Sequence, residues 1–404
     1  MIPEHWLYIP LRRCCTFIRE KAGDSSTKHI SLENIESWTG HYIETDSQYE
    51  GLGINTEEND ILFGKLRPYL AKVYLTKQKL NALGDFWVLR PNKALVPKYL
   101  HYTLLSPSFI DIVNSSTYGA KMPRADWGTN SKIVMPVPPL DEQLAIVSYL
   151  DRVTGEIDKA IEHSERMIDL LNERKQIIIQ HAVTKGLDPN VKLKDSGIEW
   201  IGMIPEEWEI IKTSYIFHNI GSGTTPSSGS SDYYSNDGTY FLQTGDLNDA
   251  VVTSTAKRIT QKAINNKGMK LYPEGSLVIA MYGATIGKLG LLGIKTTVNQ
   301  ACCVLPVSKR MNTKYAFYIF LTAKKDLILQ SKGGGQPNIS QDIIKNERII
   351  VPPLSIQQQI VNYIDRTLLP LDSAITSEQQ KITLLRERRQ IIINDVVTGK
   401  VKVS

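Results

Sequence analysis

One glycine-rich segment has the residue types that bind phosphate in nucleotide-dependent enzymes. Residues 283–289 read GATIGKL, with two glycines ahead of a lysine. A phosphate-binding loop of that class has one more residue between its glycines and a Ser or Thr directly after its lysine. Because both features are missing, we predict no nucleotide site here.

The other residues that could do chemistry lack the spacing for it. The four cysteines form two adjacent pairs, Cys14-Cys15 and Cys302-Cys303, without the C-x-x-C spacing of zinc or redox sites. They are expected to be free thiols in or near the core. The seven histidines show no metal-ligand spacing, and neither Pro-Pro pair follows an Asn or Asp, as in adenine methyltransferases. We therefore predict a non-catalytic chain that itself holds no metal and no cofactor.

Composition indicates a globular protein of two or three domains. The chain has 404 residues, of which 42% are hydrophobic and 22% charged, and its net charge is +5. No apolar run could span a membrane and the first residues do not form a signal peptide, so the cytoplasm is the expected location. The two variable segments are basic on balance and the first repeated segment is acidic, which favours nucleic acid on the former and protein on the latter.

The elements that must position any site come from an internal repeat. Residues 138–184 align without a gap to 352–398, at an offset of 214. Both copies begin with Pro-Pro-Leu and later contain Leu-Leu-x-Glu-Arg. A repeated segment between unlike inserts predicts one scaffold used twice, with two different reading heads.

Each repeated segment is predicted to be one long helix. Core-facing residues recur at steps of three and four, as in a heptad seam. The first copy has Ile146, Leu150, Val153, Ile157, Ala160, Ser164, Ile168 and Leu171, and the second has Ile360, Ile364, Thr367, Leu371, Ala374, Glu378, Ile382 and Leu385. Asp141 and Ser355 are the predicted caps, Gly186 and Gly399 the stops, and Pro370 is expected to kink or break the second helix.

A helix of about 45 residues would be roughly 65–70 Å long and needs a partner to bury its seam. The copies are expected to pair as an antiparallel coiled coil. The alternative is that each helix packs on its own globular domain.

The inserts share a weaker pattern of matching segments, which predicts an α+β fold. Residues 29–35 are matched with 241–247, residues 60–65 with 275–280, and a late glycine-rich loop at 118–124 with 333–338. The predicted division is a first recognition domain at 1–137, a helix at 138–184, a linker at 185–203, a second recognition domain at 204–351 and a helix at 352–398.

Taken together, these motifs resemble the specificity subunit of type I restriction–modification systems. The resemblance rests on the order and doubling of Pro-Pro-Leu-x-x-Gln, Leu/Ile-Asp-Arg and Leu-Leu-x-Glu-Arg, and on Ile-Pro-Glu-x-Trp at the start of each insert. It implies two target-recognition domains that each read half of a split double-stranded DNA site, separated by the coiled coil. It also implies two methyltransferase (modification) subunits and restriction subunits as partners, which would carry S-adenosylmethionine, ATP and Mg²⁺.

Side chains that donate to phosphates or base edges are the candidates for DNA contact. We predict these DNA-binding residues: Lys65, Arg67, Tyr69, Lys72, Lys121, Arg124, Gln243, Thr244, Tyr282, Lys288, Lys332, Gln336 and Asn338. For each one singly, a solvated surface role is the alternative.

Repeated polar residues of the helices are the candidates for methyltransferase docking: Glu142, Gln143, Glu173, Arg174, Gln357, Glu387 and Arg388. Solvated helix charges are the alternative. The rival interpretations of the whole chain are a DNA-binding or architectural coiled-coil protein that acts alone, and an enzyme with an unrecognised motif.

Overall fold

The structure, a computed structural model, describes residues 3–21, 28–46, 51–227, 229–331 and 337–403. The chain divides into two compact units. Unit 1 comprises Met1–Met167 with Ser377–Ser404, and unit 2 comprises Ile168–Thr376. Each unit contains one insert, part of both long helices and a mixture of strands and helices, so the predicted α+β class is confirmed.

The core of unit 1 is a four-stranded antiparallel sheet in the order Cys15–Ile18, Phe86–Pro91, Ile61–Gly64, Val73–Leu75. A second sheet contains His29–Ile30, Asn81–Ala82 and Ile54–Asn55, and a ribbon pairs Leu7–Pro10 with Val134–Val137. The short helices and 3-10 turns are Leu11–Cys14, Leu32–Asn34, Pro68–Leu70, Pro97–Leu105, Pro107–Ser115 and Trp127–Asn130. Strand Ile61–Gly64 is buried throughout because it has neighbours on both sides.

Unit 2 is built around a five-stranded sheet in the order Gly221–Ser222, Cys302–Leu305, Leu277–Ala280, Leu289–Leu292, Ala250–Val252. A second sheet contains Lys257–Ile259, Tyr234–Leu242 and Thr297–Val298, and ribbons pair Glu209–Lys212 with Arg348–Val351 and Leu193–Asp195 with Met203–Pro205. The short helices and 3-10 turns are Thr213–Ile216, Ser231–Tyr233, Thr244–Asp246, Gln261–Lys267, Thr313–Leu329 and Gln341–Asn346.

The two inserts contain matching sheets. Equivalent backbone hydrogen bonds within each insert show which residues of one correspond to which residues of the other. Lys65 N donates to Asp85 O, and Met281 N donates to Ala301 O, each at 2.8 Å. Lys65 therefore corresponds to Met281, so the predicted match of 60–65 with 275–280 was wrong by one residue. The match of 29–35 with 241–247 is confirmed, since a strand followed by a 3-10 turn occurs in both.

Both repeated segments are single long helices, Leu140–Lys185 and Leu354–Val397. The predicted stops are confirmed, because Gly186 and Gly399 adopt positive φ angles of 76° and 73°. The predicted caps are wrong. The carbonyls of Pro139 and Pro353 accept the first helical hydrogen bonds, which places Asp141 and Ser355 inside the first turn.

The second helix continues through Pro370, so of the predicted kink or break the break is wrong. A proline inside a helix removes one N–H donor and costs about 3 kcal/mol. The side chain of Pro370 is exposed, whereas Ile364 and Leu368 of the preceding turns are buried in the core of unit 2. The packing of the flanking turns offsets the loss of the one hydrogen bond.

The predicted helix seam is confirmed, because each of its residues is buried or half-buried. Within unit 1 the two helices run antiparallel, since Asp158 forms an ion pair with Arg389 while Glu165, further along, pairs with Arg386 at 3.3 Å. Within unit 2 an ion pair joins Lys175 to Asp372. Adding the repeat offset of 214 to 158 and 175 gives 372 and 389, so the pairs Asp158–Arg389 and Lys175–Asp372 are repeats of each other.

In the part of the chain that the structure describes, no helix is long and apolar enough to cross a bilayer.

Candidate nucleic-acid interface

Two loops of unit 1 lie side by side and bring together most of its predicted DNA-binding residues. One loop follows strand Ile61–Gly64, and the other is the late glycine-rich loop. Arg67 N donates to Pro123 O at 2.8 Å, and Ala125 N donates to Lys65 O at 2.9 Å. These backbone bonds hold the side chains of the two loops in one surface region.

A carboxylate organises the positive charge of this region. Asp85 accepts a hydrogen bond from Arg124 Nη2 at 2.7 Å, and its other oxygen lies 3.8 Å from Lys65 Nζ. Asp85 is itself only 19% exposed, so both cations are held from one side by a nearly buried acid. Lys65 and Arg124 are therefore positioned by the protein before any ligand arrives.

The remaining candidates of this region differ in accessibility. Arg67 and Lys121 are exposed and form no ion pair with any described residue, and the ring of Tyr69 is 45% exposed. These three can reach a ligand. Lys72 is half-buried, and its Nζ donates to Leu32 O at 2.6 Å, which favours a role in holding the neighbouring turn.

The equivalent loops of unit 2 are joined in the same way. Ile339 N donates to Met281 O at 2.8 Å, and Tyr282 forms a β-bridge with Asn338. Asn338 is exposed, and Tyr282 and Lys288 are half-buried. The structure thus brings Tyr282 and Asn338 together, as it does their counterparts Leu66 and Arg124 in unit 1.

The other candidates of unit 2 are less well supported. Gln243 and Thr244 are half-buried at the start of a 3-10 turn, where Gln243 N donates to Asp246 Oδ2 at 2.8 Å. Lys332 and Gln336 lie outside the described residues.

A basic cleft in unit 2 was missed by the sequence analysis. It has a volume of about 600 Å³ and is lined by Tyr234, Ser235, Asn236, Thr255, Ala256, Lys257 and Arg258. The Arg258 guanidinium lies 4.2 Å from the centre of the Tyr240 ring and donates to its hydroxyl at 2.9 Å. Aromatic and basic groups together are typical of nucleic-acid contacts. The adjacent Lys257-Arg258 pair in the sequence was the available signal.

Two of the predicted docking residues are buried, and their assignment is corrected. Gln143 accepts from Val96 N at 2.8 Å and donates to Ala94 O and Pro138 O. Gln357 repeats these bonds in unit 2, with the backbone of residues 310, 312 and 352. Both side chains are fully buried, so each fastens an insert to the start of a long helix and cannot contact a partner.

Glu142 is also engaged within the chain. One of its carboxylate oxygens accepts from Trp6 Nε1 at 2.9 Å, and the other lies 2.6 Å from His5 Nε2. This bonding favours a role in attaching the start of the first insert to the helix. The other four docking candidates, Glu173, Arg174, Glu387 and Arg388, are exposed.

Each insert is attached to a helix by the same cluster of polar side chains. In unit 1, Asp151 accepts hydrogen bonds from Lys98 Nζ and from the Tyr102 hydroxyl, both at 2.7 Å. Burial raises the pKa of Tyr102, and its hydrogen bond to Asp151 adds to that effect. The same contacts recur in unit 2 among Lys314, Tyr318 and Asp365.

The four cysteine thiols, which could act as nucleophiles, are buried. Burial raises the pKa of Cys14 to about 11 and that of Cys15 to about 12, so both remain thiols at neutral pH. Burial also raises the pKa of Cys302 and Cys303. The predicted buried, free state of all four is confirmed. Among the residues that the structure describes, no cluster of His, Cys, Asp and Glu could hold a metal ion.

Comparison with known proteins identifies the class of protein. The type I restriction modification DNA specificity domain family matches residues 20–164 and 205–386. The chain therefore belongs to this family, as its sequence motifs predicted. It is a specificity subunit with two recognition domains, which recognises DNA sequence and leaves catalysis to other subunits.

Relatives and solved structures agree with this assignment. The MjaVIII specificity subunit of Methanocaldococcus jannaschii is 24% identical over 100% of this chain and 94% of the relative. The EcoR124I/EcoR124II specificity subunit of Escherichia coli is 24% identical over 80% of this chain and 75% of the relative.

The solved structures support the fold. A chain from a study of complex assembly and conformational transition in the type I R-M system matches with a TM-score of 0.75 at 18% identity, over 99% of this chain and 100% of its own. The HsdS subunit of Thermoanaerobacter tengcongensis matches with a TM-score of 0.50, also at 18% identity, over 99% and 98%.

Proposed function

We propose that unit 1 and unit 2 each read one half of an asymmetric, bipartite DNA sequence, with the helix pair setting the gap between the halves. The observation that carries this is the contrast between matching loops. At equivalent positions unit 1 has Lys65, Arg67, Asp85 and Arg124, and unit 2 has Met281, Gly283, Ala301 and Asn338. Identical heads would favour a palindromic target, whereas unlike heads favour unlike halves.

The chemistry of the two loop pairs suits different base edges. The guanidinium and ammonium groups of unit 1 are donors only, and they suit acceptor-rich edges such as those of guanine. Asn338 in unit 2 has both a donor and an acceptor, which suits adenine. The Tyr282 ring beside it offers a flat apolar face.

Methylation mapping tests this proposal. The chain would be expressed with a methyltransferase subunit encoded beside it, and N6-methyladenine would be mapped across the host genome. We expect one asymmetric motif in two parts, and Asn338→Ala should relax only one part of it. A continuous or palindromic motif would count against the proposal.

We also propose a docking surface for the methyltransferase, which extends the exposed candidates Glu173, Arg174, Glu387 and Arg388. Residues 170–179 read LLNERKQIII and residues 384–393 read LLRERRQIII, so eight of the ten positions are identical. The preceding 17 positions of the two copies share only four residues. Identity that returns after this divergent stretch indicates a shared constraint on residues 170–179 and 384–393.

Burial in the helix seam does not explain all of this identity. Leu170 and Ile177 are 54% and 57% exposed, and their repeats Leu384 and Ile391 are 63% and 59% exposed. Together with the intervening Glu-Arg pairs they occupy positions i, i+3, i+4 and i+7, which lie on one face of a helix. We name these two faces the repeated stripes.

The occupant that fits is an apolar helix face of the methyltransferase, present in two copies. Each stripe combines two large apolar side chains with one acid and one base, which can pair with opposite charges on the partner. Because the stripes are duplicated, two identical subunits could bind in the same way, one on each stripe.

Charge insertion tests the docking surface. Leu170→Glu and Leu384→Glu should each remove one methyltransferase from the complex, and the double variant should remove both, as measured by sedimentation velocity. An interfacial leucine of this kind contributes about 2 kcal/mol or more, which is roughly a 30-fold change in affinity. Leu369→Glu is the matched control, since Leu369 is 68% exposed but lies outside the stripes. Undiminished assembly of the double variant would exclude the stripes as the docking surface.

We also propose that this chain belongs to a larger complex that includes restriction subunits. Restriction subunits would join the methyltransferase-bound complex, and the complex would work in the cytoplasm, where the DNA it modifies lies. A chain that binds its DNA target with equal strength and specificity without a methyltransferase would instead favour a DNA-binding protein that acts alone.

A further inference from the structure

The loop after strand Ile61–Gly64 contains two residues in a backbone conformation that normally requires glycine. Arg67 has φ 50° and ψ 60°, and Ala71 has φ 47° and ψ 48°, both left-handed. Only glycine adopts this conformation without a steric cost, since a Cβ atom approaches the backbone too closely.

The matching loop of unit 2 has glycine at both of the left-handed positions. Arg67 corresponds to Gly283 and Ala71 to Gly287, whose φ angles are 84° and 74°. The two loops therefore share a backbone path, and in unit 2 the residues suit that path. The arginine in unit 1 opposes the preference of its own backbone.

The room available for a side chain does not explain why unit 2 has Gly283 where unit 1 has Arg67. A Cβ atom built on Gly283 would meet no atom within 4 Å, so a side chain at this position projects into open surroundings in unit 2. The Arg67 side chain is likewise exposed and forms no ion pair with any described residue. No ion pair of the Arg67 side chain with a described residue therefore offsets the steric cost of its backbone conformation.

Of the predicted DNA-binding cations of this surface, Arg67 and Lys121 form no ion pair with a described residue, and of these two Arg67 lies on left-handed backbone. Lys65 and Arg124 are held by Asp85, and Lys72 donates to a backbone carbonyl. Arg67 N is fixed by its hydrogen bond to Pro123 O, so the point from which its guanidinium extends is rigid. A fixed anchor with a free, planar, five-donor head suits bidentate recognition.

We propose that Arg67 is the specificity-determining residue of unit 1 and reads a guanine edge in the major groove through its guanidinium. The inference rests on the proposed function, that unit 1 reads half of a DNA site. The backbone strain is maintained because the side chain is needed for recognition. Arginine bound to O6 and N7 of guanine is the commonest specific contact of this type.

Three substitutions separate recognition from strain. Arg67→Ala removes the guanidinium and keeps a Cβ at the strained position, Arg67→Gly removes both, and Ala71→Gly relieves strain at the neighbouring left-handed residue alone. Each full-length variant would be expressed with its methyltransferase and assayed by mapping N6-methyladenine and by competition binding with duplexes that differ at one base pair.

Arg67→Ala and Arg67→Gly should each make one guanine position of the unit 1 half-site degenerate, with a preference reduced on the order of tenfold to a hundredfold. The half-site read by unit 2 should be unchanged. Ala71→Gly should retain the original motif. Arg67→Lys should keep most of the affinity but lose most of the preference for guanine, because an ammonium cannot form the bidentate contact.

Thermal unfolding distinguishes this proposal from an ordinary structural role of Arg67. If the role were structural, substitution would lower the melting temperature. Arg67→Gly should melt at the same temperature as the unsubstituted chain or about 2 °C higher, since strain is relieved. A lower melting temperature for Arg67→Gly, or an unchanged motif in both Arg67 variants, would overturn the inference. If the unsubstituted complex itself methylates no bipartite motif, the proposed function fails first, and the two failures are therefore distinguishable.

Discussion

The two inserts of this molecule show how one backbone fold supports different recognition surfaces. The central strands, the 3-10 turn Leu32–Asn34 with its counterpart Thr244–Asp246, and the attachment of each insert to a helix recur in both units. The side chains at the loop ends do not recur, and Asp85 with its two cations has Ala301 and uncharged neighbours as its counterpart. The contrast indicates that the frame is constrained by folding and the loop ends by the ligand.

The helix ion pairs allow the strongest test of that comparison, because the two copies differ in burial. The side chain of Arg389 is 5% exposed, whereas that of its counterpart Lys175 is 24% exposed. Asp158→Ala leaves a buried cation without its partner and should lower the free energy of unfolding by roughly 2–4 kcal/mol.

Asp372→Ala is the matched control and should cost under about 1 kcal/mol, because its partner remains in contact with water. Urea unfolding of the full-length chain, followed by circular dichroism, measures both changes. Equal losses in the two variants would show that the difference in burial has no energetic effect.

A histidine that only unit 1 contains should make the stability of that unit depend on pH. His101 is buried, which lowers its pKa to about 4, and its Nε2 lies 3.1 Å from Val73 O. The unfolded chain takes up the proton near pH 6.5, and the folded chain does so only near pH 4. The stability contributed by neutral His101 is therefore present above pH 6.5 and is lost as the pH falls towards 4, by up to about 3 kcal/mol.

The corresponding residue of unit 2 is Phe317, which suggests the variant His101→Phe. Carboxylates titrate in part of the same pH range, so the informative quantity is the difference between the two proteins. The variant should lose less stability between pH 6.5 and pH 4 than the unsubstituted chain, as followed by thermal unfolding. Parallel pH profiles would contradict the assignment.

The carboxylate of unit 1 should have the smallest effect on stability and a clear effect on DNA binding. Asp85→Ala, which copies Ala301, should change the free energy of unfolding by under about 1 kcal/mol, because both cations are partly exposed. Freed from Asp85, Lys65 and Arg124 can bind phosphates, so affinity for unrelated DNA should rise. Its logarithmic salt dependence should steepen by about one unit per added phosphate contact. An unchanged salt dependence would indicate that these cations do not face DNA.

The sequence predicted the features that depend on local periodicity. The two long helices, their stops and their seam follow from the spacing of apolar residues and from glycine at the ends. The doubling of these segments also predicted the family. The first signal is a property of neighbouring residues and the second of the order of motifs along the chain, so neither needs tertiary information.

Tertiary contacts decided what the sequence could not predict. Gln143 and Gln357 have the composition of a helix surface, but their amides satisfy backbone groups of the inserts about 45–50 residues earlier in the chain. Pro370 is tolerated because distant residues pack on the flanking turns. The left-handed backbone at Arg67 is set by hydrogen bonds between two loops, so no local pattern marks it.

The buried cysteines have a practical consequence for measuring how this molecule moves. All four native thiols are shielded from solvent and are protonated at neutral pH. Maleimide dyes and nitroxide spin labels react with exposed thiolates, so the folded chain should remain unlabelled. Single cysteines introduced at exposed positions would then give selective attachment points for fluorescence or magnetic-resonance distance measurements, without removal of any native residue.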